Sequence, residues 1–257
     1  MAAAKSKSEP TRILVLGGGY VGLYTAYGLQ KMLRANEASV TVVDPQPHMT
    51  YAPFLPEAAA GAIEPRHVVV PLRRVLKRCH VLTARVTKIE NEKKSVTVEA
   101  ADGHIEQLGY DILVVALGAV ARILPIPGLV EQGIAFKTIG EAIYLRNHIM
   151  TKLDEAASTL DTELRKRLLT FTVVGGGFAG IEVYLSTAAK SFENGHVVLS
   201  DGTEFDTDTI IWTAGVKANP VLANSDLPLD KRGRLEATAA MQVVGHPPVL
   251  PDLTFAE

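Results

Sequence analysis

A single cysteine in 257 residues, Cys79, removes several chemistries at once. No disulfide can close within the chain, no CxxC redox pair exists, and no cysteine zinc site can form. The thiol sits in Lys-Arg-Cys-His, where neighbouring bases could lower its pKa; the simpler reading is a spare structural thiol. Excess positive charge is also missing. With 26 basic against 28 acidic residues and a net charge of −2, nucleic acid is not expected as the main partner. A long apolar run is absent as well. The most apolar window, Ile112 to Val130, is interrupted by Gly118, Arg122, Pro125, Pro127 and Gly128, which suits a buried strand and loop rather than a membrane span. The start, Met1-AAAKSKSEP, is polar and shows no secretory h-region. The expectation is a soluble, cytoplasmic protein with at most peripheral membrane contact. An apolar fraction of 47% and a charged fraction of 21% are those of an ordinary globular chain.

Against these absences stands a glycine turn that occurs twice. The first copy reads Arg12-ILVL-GGGYVG, with Gly17, Gly19 and Gly22 following a β-branched run of strand length. A strand over 12–17, a helix from Gly22 to about Arg34 and a second strand Ser39-VTVVD ending at Asp44 make a complete βαβ unit. In such a unit the glycines let the backbone approach a pyrophosphate at the helix N-terminus. The acid roughly 20 residues on accepts hydrogen bonds from a ribose diol and repels a 2′-phosphate. The second copy reads Thr170-FTVV-GGGFAG, with Gly175, Gly177 and Gly180. Two dinucleotide sites in one chain point to transfer of electrons from one nucleotide to another.

The rest of the pattern is that of a repeated domain whose second copy is cut short. The first copy continues through a proline-punctuated excursion, Pro45 to Pro71, which could cover a planar ligand or simply pack. A strand Cys79-HVLTARVTKIE follows. Then Ser95-VTVEA and Tyr110-DILVVALG are expected to form a meander joined at Asp102-Gly103. From Gly140 to Leu160 the apolar residues recur at helical spacing, with His148 on or near that helix as a satisfied histidine. Charged residues from Asp161 to Arg167 lead into the second turn. That copy passes almost at once to Gly195-HVVLSDGTEFDTDTIIWTAG, which matches the tail of the first. The interval Gly17–Gly118 is thus compressed to Gly175–Gly215. Ile181-EVYLST is rich in strand formers where a helix belongs, and the junction is expected at Ile181–Tyr184. A helix from Gly180 to Asn194 would place Asp201 as the ribose acid; the repeat instead places Asp201 at a hairpin turn matching Asp102. The ribose carboxylate of the second site is then missing.

The stretches GGGYVGLYTA, APFLPEAAAGAIEPRHVVVPLR, YDILVVALGAVAR, FTVVGGGFAGIEV and DGTEFDTDTIIWTAGVKANP resemble the FAD-dependent pyridine nucleotide oxidoreductases. Within them the chain is most similar to type II NADH:quinone oxidoreductases. The resemblance implies an α/β fold of two Rossmann-like dinucleotide-binding domains, at about 1–125 for FAD and 126–245 for NADH, with 246–257 available to complete the first. It implies FAD at Gly17, Gly19 and Gly22, with Asp44 on the ribose and the Val86 backbone at the adenine. Ala116-Leu117-Gly118 and Thr213-Ala214-Gly215 match strand ends near the cofactors, Leu117 departing from the usual threonine. Pro53 to Glu57 would lie near the flavin ring. NADH would sit at Gly175, Gly177 and Gly180. Glu182 takes the place of a glutamate near the nicotinamide–flavin–quinone junction, although a first-turn glutamate favoured by the helix dipole would occupy the same position. The partners implied are NADH and a quinone-like acceptor, with room for a homodimer and for peripheral attachment to the cytoplasmic face of the inner membrane. A return strand ending in Gly-Asp and C-terminal amphipathic segments, both usual in such proteins, are not seen after Gly245-HPPVL. Two functions follow: a flavoprotein oxidoreductase, or a truncated, catalytically impaired nucleotide-binding remnant of one.

Overall fold

The computed structural model describes residues 9–175, 188–247 and 249–251. In chain order its main elements begin with strand β1 (Thr11–Leu16), helix α1 (Tyr20–Met32) and strands β2 (Ala38–Asp44), β3 (His80–Glu90), β4 (Ser95–Ala100), β5 (Ile105–Gly109) and β6 (Ile112–Val115). Strand β7 (Gly133–Ala135), helices α2 (Ile139–Ser158) and α3 (Thr162–Leu168) and strands β8 (Phe171–Val174) and β9 (Ala189–Glu193) come next. Strands β10 (His196–Leu199), β11 (Glu204–Asp206), β12 (Thr209–Trp212) and β13 (Val249–Pro251) follow, with shorter strands, helices and 3₁₀ turns between the main elements. Two compact units result. One runs to Met49 and adds Val70–Val120 and the chain from Ala218; the other combines Thr50–Val69 with Ala121–Lys217.

The first unit is built on a seven-stranded sheet in the order β13-β6-β1-β2-β3-β4-β5. Strands β13, β6, β1 and β2 and the start of β3 run parallel, and β4 and β5 are antiparallel. Apolar residues occupy both faces of β1 and β6, as strands covered on both sides require. Leu14, Leu16, Leu113 and Val115 meet Val221, Leu222, Leu227 and Val243 of the C-terminal segment on one face. Ile13, Val15 and Val114 meet Leu23 and Ala26 of α1 on the other. Each such side chain stabilises the unit by roughly 1.5–3 kcal/mol on burial. The Arg12 guanidinium grips Asp111 beside the sheet, at 2.9 Å from Nη2 to Oδ1, and holds that carboxyl down at about 2.

The expected meander differs from what forms. The Asp102-Gly103 turn joins β4 to β5, and the chain then crosses to place β6 parallel to β1. The reason lies in composition: β5 (IEQLG) is polar and exposed and suits an edge, whereas β6 (ILVV) has no polar face to show to water. A return strand does form, β13, which pairs parallel with β6 and ends at Pro251 without a Gly-Asp.

In the second unit β7, β12 and β8 make a parallel sheet in the order β7-β12-β8, and β9, β10 and β11 an antiparallel one. This reproduces the first unit's β13-β6-β1 core and its β3-β4-β5 extension. No counterpart of β2 exists among the described residues. Helix α2 is capped by a reciprocal pair: Glu141 N–H donates to Thr138 Oγ1 at 3.2 Å and Thr138 N–H to Glu141 Oε2 at 2.8 Å. It packs Ala142 and Leu145 with Leu55 and Phe136. Residues Thr162–Leu168 form the short helix α3, started by Asp161, whose Oδ1 accepts from Glu163 and Leu164 N–H. A helix reaching Asn194 does not form. Ala189–Glu193 is strand, and Asn194 (φ 53°) with Gly195 (φ 81°) makes the left-handed two-residue turn that suits a hairpin. Asp201 Oδ1 accepts from Thr203 N–H at 2.9 Å, as Asp102 Oδ1 accepts from His104 N–H at 3.0 Å. The two aspartates are turn residues in matching hairpins.

Candidate functional site

Where β1 ends, the chain must reverse into α1 within a few residues, and two glycines make this feasible. Gly17 has φ +105°, and a Cβ there would collide with the Ala116 carbonyl; a Cβ on Gly22 would collide with the Gly17 carbonyl. Gly19 caps α1 and has open space around it, with nothing within 4 Å of the point to which a Cβ would project. The turn is thus tight on its protein side and bare on its outer side. The bare side is where a phosphate could approach the backbone at a helix N-terminus.

Asp44, the last residue of β2, faces this turn. Its Oδ2 accepts from Gly18 N–H at 2.6 Å and its Oδ1 from Gln46 N–H at 2.7 Å. Burial pushes the carboxyl up, against the pull of those two N–H groups and of His48. Gly17, Asp44, Val86 and Leu117 line one groove of about 400 Å³. Ala116 is buried just beyond β6, its N–H donating to Leu16 O at 2.7 Å. Gly118 (φ +62°) turns the chain after it.

Sequence reasoning missed the groove's other wall. Asn219, Pro220, Val221 and Asn224 line it from the C-terminal segment. Asn219 Nδ2 donates to Leu117 O at 3.3 Å and its Oδ1 accepts from Val221 N–H at 3.2 Å. The Asn-Pro dipeptide signals a turn, but nothing in the sequence says that this turn reaches back to β6.

The second unit repeats the close approach. Gly175 (φ +132°) lies so near β12 that a Cβ would collide with the Thr213 hydroxyl and crowd Ala214 N. Thr213 donates to Val174 O through both N–H (2.9 Å) and Oγ1 (3.1 Å). Gly215 (φ +74°) accepts from Arg122 N–H at 3.2 Å, and Ala214 packs against the core of this unit. Gly177, Gly180 and Glu182 lie outside the described residues. Pro53 to Glu57 fall in the 3₁₀ turn Ala52–Phe54 and the short helix Leu55–Ala59 of this unit. His148 Nε2 lies 2.9 Å from Thr209 Oγ1, a satisfied histidine, and burial pushes the Cys79 thiol up, away from reactivity.

The pattern of the pyridine nucleotide-disulphide oxidoreductase family matches residues 11–190 and again 179–249. The chain belongs to this family. The two matches share 179–190, the stretch that contains the expected junction. Among relatives of known activity, the external alternative NADH-ubiquinone oxidoreductase of Yarrowia lipolytica is 34% identical over 68% of this chain and 31% of its own length. The type II NADH:quinone oxidoreductase of Staphylococcus aureus is 35% identical over 66% of this chain and 41% of its own. The demethylphylloquinone reductase of Synechocystis is 26% identical over 91% of this chain and 69% of its own. The chain therefore spans well under half of the first two. The solved structure of NDH2 from Plasmodium falciparum superposes with a TM-score of 0.85 over 94% of this chain and 63% of its own, at 17% identity. That likeness concerns the fold, which is the oxidoreductase family's paired dinucleotide-binding architecture.

Proposed function

We propose that the chain is a flavoprotein oxidoreductase: a hydride passes from NADH to FAD, and the electrons go on to a quinone or similar acceptor. The observation that carries this reading is the groove of the first unit, where a bare glycine turn, a buried aspartate and the Val86 strand converge. These residues fit the adenylate half of FAD. The Gly17–Gly19 backbone would meet the pyrophosphate, Asp44 the ribose and the Val86 backbone the adenine, while Ala116 and Gly118 shape the strand end beside them. Bound there, FAD would supply the two-electron carrier that no side chain of the protein provides. The second unit would present NADH at Gly175, Gly177 and Gly180, with Ala214 and Gly215 at the β12 end and Glu182 near the nicotinamide. The three relatives above are named as NADH or quinone oxidoreductases, which supports both substrates. A homodimer and peripheral membrane attachment belong to the same reading; among the described residues no helix is long and apolar enough to cross a membrane.

One observation favours a second reading, a chain that binds a nucleotide without turnover. Among its described residues the second unit has no acidic parallel strand beside β8, so none of them supplies its turn with a ribose carboxylate. An anaerobic titration of the purified, flavin-loaded chain with NADH, followed by visible absorption, separates the two. Stoichiometric bleaching of bound flavin is the expected result. Flavin that stays oxidised would confine function to the first unit, and a chain that takes up no flavin would overturn the enzyme reading.

A further inference from the structure

The C-terminal wall of the groove is held in place by a small buried polar network. Asn91, in the β3–β4 turn, is only 3% exposed. Its N–H donates to Asp226 Oδ1 at 2.7 Å, and Glu92 N–H donates to Asp226 Oδ2 at 2.9 Å. The Asn91 side-chain oxygen accepts from Tyr110 OH at 2.9 Å and from Lys94 Nζ at 3.3 Å. Its amide nitrogen lies 2.8 Å from His246 Nδ1. An ammonium can only donate, so Lys94 decides which end of the amide is oxygen. The nitrogen therefore faces His246, and Nδ1 must accept: the ring carries no proton there. Tyr110 is fully buried and burial, with Asp226 adding, pushes its hydroxyl up to about 12, so it remains a donor.

We infer that Asn91 and His246 form a pH-sensitive latch that positions the Asn219–Asn224 wall of the groove. Neither residue lines the groove itself, so both are positioning residues. The inference rests on the nucleotide reading of that groove. Protonation at Nδ1 sets one N–H against another and breaks the contact. Asp226 attracts a charged ring, whereas Lys94, which donates to the same Asn91 side chain, repels it; Lys93, itself drawn to Asp226, and Glu92 lie in the same turn. Asp226 and His246 both belong to the C-terminal segment. Acid thus loosens the wall by breaking the Asn91–His246 contact.

The test uses the whole chain, with ADP as the probe, at pH 7.5 and 5.5. ADP affinity is measured by calorimetry, and amide exchange protection of residues 219–226 without nucleotide. The wild type should lose about fivefold in both on acidification, the equivalent of one hydrogen bond. His246→Gln keeps an acceptor for the Asn91 amide and has no proton to gain, so it should hold its protection at pH 5.5. Asn91→Asp sets a carboxylate against the ring and should reverse the trend, with the segment better protected in acid. Titration of ADP or Asp44 affects all three chains alike and cancels in the comparison. Identical pH trends in the three chains would overturn the latch. Protection that follows the expected order in a chain that binds no ADP would uphold the latch and overturn the nucleotide reading.

Discussion

Gly17 and Gly19 sit two residues apart in one turn and should respond to the same substitution in opposite ways. Gly17→Ala brings a Cβ against the Ala116 carbonyl at a φ of +105°, and should cost about 3 kcal/mol of stability in a denaturant melt. Gly19→Ala meets nothing within 4 Å, so its stability should stay within about 0.5–1 kcal/mol of the parent. Its added methyl projects from the bare side of the turn, so flavin affinity should fall about tenfold or more. Asp44 carries a pH signature. Burial raises its carboxyl in the folded chain despite two backbone N–H bonds, so the folded state keeps this proton to a higher pH than the unfolded state does. Stability therefore falls as pH rises from the unfolded value, about 3.9, through the folded one. Denaturant melts of Asp44→Asn should lack that step, and the variant should bind flavin more weakly at pH 7. A step that persists in the variant would assign it to another group. At this scale the sequence was legible where chemistry needs a residue type at a fixed spacing. Gly17, Gly22 and Asp44 could be named from their positions alone. Asn219 and Asn91 could not, because each acts through a partner far away in the chain.

Among the elements, helix α2 shows how local sequence decides local structure. Thr138 and Glu141 satisfy each other's backbone donors, and an apolar stripe of Ala142 and Leu145 faces the core of the second unit. Thr138→Ala should cost about 1 kcal/mol, read as lower exchange protection in the first turn of α2. At Asn194-Gly195 the sequence offered the end of a possible helix; the structure makes it a two-residue hairpin turn, because both residues tolerate the left-handed region that such a turn demands. Strand β6 was readable as a strand but not in its pairing. Nothing local distinguishes an antiparallel partner across the Asp102-Gly103 turn from a parallel partner a hundred residues earlier. Burial on both faces decides it, and burial is a property of the assembled sheet.

For the whole molecule, the decisive feature is that the chain from Ala218 packs with the first unit. Val221, Leu222, Leu227, Val243 and Val249 join the core face of β1 and β6. Together they supply roughly 10 kcal/mol of burial, comparable to the full stability of an ordinary domain. A chain ended after Lys217 should therefore lose cooperative unfolding of the first unit and bind an apolar dye. A truncated chain that melts as sharply as the parent would show that the parallel sheet and α1 suffice. The repeat gives the second unit a different balance. It keeps the parallel three-strand core and the hairpin extension, and among the described residues it has no counterpart of β2.

The sequence by itself determined the first glycine turn, the acid at the end of β2, the Asp-Gly hairpin turns, the helix after Gly140 and the repeat with its shortened second copy. All of these are set by short-range sterics and hydrogen bonding, in which one residue type fits and others do not. Only the tertiary structure decided which strands pair, that the segment after Lys217 closes the first sheet and lines its groove, and that Asn91 meets His246. Those outcomes depend on covering apolar faces and satisfying buried polar groups between segments far apart in the chain, and no window of sequence contains both partners.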